Sequence, residues 1–215
     1  MRTRFLALAA LALPLTGVWA APSDVDFSAT AVQTMPQKGT VTGKLYVSKN
    51  KMRQEAVQEG QTRITITDGE KNTAWILNPD RKEYVEMKGP GAGTAAAGRP
   101  PMPDEAGHPC QQKDSGLKCT KLGSESVNSR ATDKWEVIAV QGKDSFRSVM
   151  WVDQRLRTPI RAEFQGGAQT ELRDVTEGPQ PADLFVVPAD YKKVELPQRP
   201  PQGQAGAPAA PHAVK

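Results

Sequence analysis

From Lys44 to Met87 the chain alternates apolar and polar side chains over short runs, each closed by turn residues. Val41, Leu45 and Val47 alternate with Thr42, Lys44, Tyr46 and Ser48, and Ile64 and Ile66 with Arg63, Thr65 and Thr67. Val85 and Met87 alternate with Tyr84 and Glu86 in the same way. A period of two belongs to a strand, because successive side chains of an extended chain leave on opposite faces. Asp68-Gly69 permits the positive φ of a reversal, and Asn78-Pro79-Asp80 presets another. Lys51 to Glu59 is made of good helix formers, but with a turn on each side an isolated two-turn helix would be marginal. It is read as a strand. The expectation is an antiparallel meander with one greasy and one wet face.

The pattern extends to both sides. Val25 to Thr34 places Val25, Phe27, Ala29 and Ala31 against Asp26, Ser28 and Thr30, a first strand. Further on, Trp135, Val137 and Ala139 form one row, Ser145 to Asp153 a strand, and Ile160, Ala162 and Phe164 another row. Gly166-Gly167 suits a two-residue hairpin turn, Ala168 to Val175 returns as the partner strand, and Leu184 to Val187 closes the series. The fold class is mainly β, with little helix. No amphipathic helix is available to cover the greasy face.

Outside this series the composition changes. Arg2 and Arg4 precede an apolar run from Phe5 to Leu15, and Val18-Trp19-Ala20 carries small residues where a signal peptidase needs them. Residues 1–20 are read as a cleaved signal peptide, too short in apolar length for a membrane span of about 20 residues. Residues 21–196 form the domain, one by size. Within it, 88–109 is a Gly/Pro/Ala insertion with no period, and 197–215 is a Pro/Gln/Ala tail without core-forming residues. The expected location is the periplasm.

That compartment agrees with Cys110 and Cys119, whose spacing fits a structural disulfide better than a redox or metal pair. Without Arg2 and Arg4, 26 basic residues stand against 24 acidic ones, scattered rather than clustered, so a nucleic-acid partner is not expected. His108 and His212 are the only histidines, one in the insertion and one in the tail. No Ser-His, Cys-His or metal-ligand grouping can be assembled from them. The expectation is a protein that is not an enzyme and uses no cofactor or metal.

The stretches F-x-A-x-A-V-Q at Phe27 to Gln33, TDGEKNTAWILNPDRKEYVEM at Thr67 to Met87, Trp151-Val152-Asp153, Pro159-Ile160-Arg161 and Asp183-Leu184-Phe185…Pro188…Tyr191 resemble the envelope lipoprotein carriers LolA and LolB. The wording LFVVPADYKKV is similar to exported proteins of the DUF4412 type. The resemblance implies a single strongly curved antiparallel sheet, a half-barrel whose concave apolar face shelters a hydrophobic ligand such as a lipid or a lipoprotein acyl chain. It also places Arg53 near the cavity arginine of the carriers. The residues expected at the ligand are Leu45, Val47, Arg53, Ile64, Ile66, Trp75, Trp135 and Phe146. An interaction or envelope-stress-sensing module with a protein partner is the alternative on the same fold.

Overall fold

The computed structural model describes residues 25–58, 60–89, 117–141 and 144–195. In chain order the strands are β1 (Phe27–Met35), β2 (Gly39–Ser48), β3 (Lys51–Gln58), β4 (Gln61–Asp68), β5 (Thr73–Asn78), β6 (Glu83–Lys88), β7 (Leu117–Val127), β8 (Arg130–Gln141), β9 (Asp144–Asp153), β10 (Pro159–Phe164), β11 (Gln169–Glu177) and β12 (Lys192–Lys193). A 3₁₀ turn, Ala182–Phe185, precedes β12. The expected first strand, the ambiguous Lys51 segment and the later runs as far as Val175 appear as strands.

All twelve lie in one open sheet, ordered β12-β6-β5-β4-β3-β2-β1-β11-β10-β9-β8-β7. Every pairing is antiparallel except that of β12, which runs parallel to β6. Two joints are long-range, β6 against β12 and β1 against β11. The latter fuses an N-terminal and a C-terminal meander into a single curved, unclosed sheet. Register shifts in the pairs β1–β11, β9–β10 and β7–β8 bend it, since a bulge adds local twist.

The turns follow the local chemistry. Asn128 and Ser129 hold φ of 48° and 62°, the two positive values that a tight hairpin between β7 and β8 requires. Asp68 accepts from the Lys71 amide at 3.0 Å, and Asn78 from the Arg81 amide at 3.2 Å, closing the turns expected there. Between β10 and β11 the loop has three residues rather than two: the Phe164 amide donates to the Ala168 carbonyl across Gln165, Gly166 and Gly167.

The main core gathers on β1 and its neighbours. Phe27, Leu45, Leu156, Ile160 and Leu172 are fully buried there, and each contributes about 1.5–3 kcal/mol relative to exposure. No helix among the described residues is long and apolar enough to cross a membrane.

Leu184 to Val187 is not the closing strand that its apolar spacing suggests. Pro181 and Pro188 flank it and offer no ladder donors, so the chain turns as a 3₁₀ segment and lays its side chains on the sheet instead. Residues 178–195 thus form a strap. The proposed signal peptide, nearly all of the 88–109 insertion, and the tail lie outside the described residues.

Candidate ligand face and the strap behind it

The register decides which side chains share a face. Val47 pairs with Met52, Met52 with Thr67, Thr67 with Ala74 and Ala74 with Met87. The next rung runs Leu45, Gln54, Thr65, Ile76 and Val85. Both continue onto β1 through Phe27 opposite Val47 and Ala29 opposite Leu45, and a third rung holds Ala31, Gly43, Ala56 and Arg63. Beyond β11 this face carries Ala162, Met150 and Trp135, then Phe164, Ser148 and Val137, with Phe146 opposite Ala139. We call it the alanine face.

Of the residues expected at the ligand, Leu45, Val47, Trp135 and Phe146 stand on the alanine face. Leu45, Val47 and Trp135 are buried, whereas Phe146 is 55% exposed near the far end of β9. Arg53, Ile64, Ile66 and Trp75 stand on the opposite face: Arg53 pairs with Ile66 and Ile66 with Trp75. The structure therefore splits the expected set, because two successive two-residue hairpins return odd residues of β4 to the face of Leu45 and leave the even Ile64 and Ile66 on the other.

That opposite face is covered by the strap. Phe185 is buried against Ile64, Ile66 and Leu77, with Tyr46, Trp75, Tyr84, Leu184, Val187 and Tyr191 packed around them. Polar contacts fix it. Arg53 donates from Nη1 to the Leu184 carbonyl at 3.0 Å and from Nε to Glu55 at 2.6 Å. The amides of Lys192 and Val194 donate to the Lys82 and Tyr84 carbonyls, both at 2.8 Å. Lys82 pairs with Asp190 at 2.8 Å and Lys193 with Glu86 at 2.9 Å. Hydrogen bonds from Lys193, Lys88 and Trp75 hold the Glu86 carboxyl down to about 2. Arg53 thus secures the strap, and its pairing with Glu55 and Leu184 accounts for its burial.

On the C-terminal half of this second face, charge replaces apolar cover. The ring of Trp151 lies under Lys134 at 4.7 Å and Arg161 at 4.9 Å. Its Nε1 donates to Glu125, which together with Lys134 holds that carboxyl below its ordinary range. This half is the wet face of the meander.

A cluster that sequence reasoning missed joins three strand ends. Arg130 donates to Asp153 at 2.5 Å and to Glu177 at 2.8 Å, and Arg155 pairs with Glu177 at 2.9 Å. These residues line an open cavity of about 380 Å³. Asp153 also accepts from the amides of Arg155 and Leu156, so its oxygens are committed to holding the β9–β10 turn. The Trp-Val-Asp motif is the signal that could have found it. Among the described residues no three His, Cys, Asp or Glu side chains could hold a metal; His108 and His212 lie outside them. Cys119 sits half-buried on β7 and no described cysteine is free, while Cys110 lies outside the described residues.

Among solved structures, the chain is similar to an uncharacterized conserved protein from Thermus thermophilus, with 12% identity and a TM-score of 0.53, over 80% of this chain and 90% of that one. It is also similar to PNGF-II, with 10% identity and a TM-score of 0.48 over 80% of this chain and 32% of that one. A LolA superfamily protein from Nitrosomonas europaea matches at 11% identity and a TM-score of 0.34, over 78% and 92% of the two chains. No family model and no curated protein matches, so the DUF4412 likeness rests on wording alone. At 12% identity the likeness to the Thermus thermophilus protein is one of fold.

Proposed function

We propose that the chain is an exported, non-enzymatic envelope protein that holds a hydrophobic ligand, a lipid or acyl chain, on the alanine face. The observation that carries this reading is the pair of rungs from β1 to β6. Phe27, Val47, Met52, Thr67, Ala74 and Met87, and Ala29, Leu45, Gln54, Thr65, Ile76 and Val85, include no ionisable side chain. Ile76, Val85 and Met87 remain only half-buried, and no described strand or turn packs over them as the strap packs over Ile66.

Gly43 supports concavity on that side. A Cβ built there, directed to the alanine face, would stand 2.1 Å from the Glu55 carbonyl oxygen. The neighbouring strand must therefore lean toward this face, as a sheet does where it curls. Apolar concave surfaces are where small hydrophobes bind. Cleavage after Ala20, the 88–109 insertion, the 197–215 tail and a Cys110–Cys119 bond belong to the same proposal.

Protein purified without detergent should yield lipid or fatty acid by mass spectrometry of organic extracts. Clean extracts, together with capture of one defined envelope protein, would replace the carrier with the interaction or stress-sensing module.

A further inference from the structure

Polarity and exposure rise together along the alanine face. On the Val47 rung the polar side chain is the buried hydroxyl of Thr67, on the Leu45 rung the half-buried Gln54 and Thr65, and on the Gly43 rung the exposed Arg63. Neighbouring rungs are two residues apart, about 7 Å along the strand. One end of the face is thus apolar and buried, and the other cationic and open.

None of these four polar side chains makes a hydrogen bond or ion pair with the described residues. Several other buried polar groups are bonded within the protein: Thr73 donates to Lys71, Thr132 to Glu125, and Asp153 accepts from Arg130. The second cation of this face, Lys121, is paired with Asp133 at 2.8 Å. Glu83, the nearest acid on the face by register, pairs with Arg81 at 3.2 Å. Lys192, in register with Glu83 at the outer edge of the sheet, is a third cation of this face, and Arg63 is the one that shares a rung with Ala31, Gly43 and Ala56. Beside it the rung is floored by Ala31, Gly43 and Ala56, the smallest side chains available, which leaves room for a group next to the guanidinium.

We propose, resting on the carrier reading, that this face takes a single-chain carboxylate amphiphile in one orientation. The hydrocarbon lies over Ile76, Val85 and Met87, the half-buried members of the Leu45 and Val47 rungs, and the carboxylate pairs with Arg63, within reach of Gln54 and Thr65. The reverse orientation would bury an anion among Met52, Ala74 and Met87 without a partner, which is prohibitive. A guanidinium suits a carboxylate because it offers two parallel donors.

Isothermal titration of the full chain with dodecanoate, dodecanol and dodecyltrimethylammonium at pH 8, each below its micellar concentration, tests this. The expected order is carboxylate, then alcohol, then ammonium. Arg63→Gln should weaken dodecanoate about 10-fold and leave dodecanol within about twofold, while Arg63→Lys retains most of the preference. If dodecanol binds but dodecanoate gains nothing, or if Arg63→Gln changes neither, the orientation is wrong and the carrier reading survives. If none of the three binds, the carrier reading falls and takes this inference with it.

Discussion

Arg53 and Leu184 are 131 positions apart in the chain, yet the Arg53 guanidinium donates to the Leu184 carbonyl at 3.0 Å. This contact ties the end of the domain across the middle of its N-terminal meander. It explains why an arginine on a strand is nearly buried: its Nε is taken as well, by Glu55. Arg53→Gln leaves both acceptors short of a partner and should cost about 1–3 kcal/mol of stability. Hydrogen exchange should quicken at Leu184 to Val187, while ligand affinity stays within about twofold because the residue faces away from the alanine face.

A second prediction concerns pH. Glu86 is held at about 2 from an ordinary 4.5, first by Lys193 and then by Lys88 and Trp75. A carboxyl depressed in the folded state adds stability above its unfolded value and loses it as pH falls through the folded one. The strap should therefore loosen between pH 4.5 and about 2. Exchange at the Val194 amide, referenced at each pH to Glu86→Gln, should rise across that window. Because the Lys193 and Lys88 side chains are exposed to solvent, high salt should shrink the difference.

How much of this was legible in the sequence depends on the kind of information. Alternation located nearly every strand, since a strand writes its period locally. Which face each apolar row occupies was written in the loop lengths instead. Ser48 pairs with Lys51 and Gln58 with Gln61, so both hairpins have two-residue loops. Odd residues of β2 then fall beside even residues of β3 and odd residues of β4, which sets Leu45 with Thr65 and not with Ile64. β3 mixes apolar and polar residues on both sides, Met52 and Ala56 with Gln54 on one and Val57 with Arg53 and Glu55 on the other, and could not signal the exchange. The joint of β1 to β11 and the two-residue β12 leave no local trace. The edge strand β7 is mostly exposed, so it shows little alternation.

Gly43 is the position least tolerant of change on the alanine face. A methyl group there meets backbone, the Glu55 carbonyl at 2.1 Å, rather than a side chain that could move. Gly43→Ala should lower stability by about 1–3 kcal/mol and flatten the local curl. Gly39→Ala is the control for backbone strain without crowding, since nothing lies within 4 Å there at φ of 82°. Equal losses in thermal melts would mean that conformation, not close approach, governs both.

The cysteines give a chemical prediction. A Cys110–Cys119 bond closes a loop of about ten residues and should contribute roughly 2.7 kcal/mol. Alkylation mapping of protein from an oxidising compartment should find no free thiol, and the double Ser variant should melt lower. Two modified cysteines in the native protein would remove the bond from the account.

Uptake of a fluorescent fatty-acid probe by paired variants tests the central claim most directly. Val85 is half-buried on the alanine face, and Val57 is 56% exposed on the opposite one, so both should accept glutamate without unfolding. The wild-type chain and Val57→Glu should bind the probe alike, and Val85→Glu should lose at least about tenfold in affinity while its melting curve stays cooperative. Equal binding by Val85→Glu and wild type, or no uptake by any of them, would contradict a ligand on the alanine face.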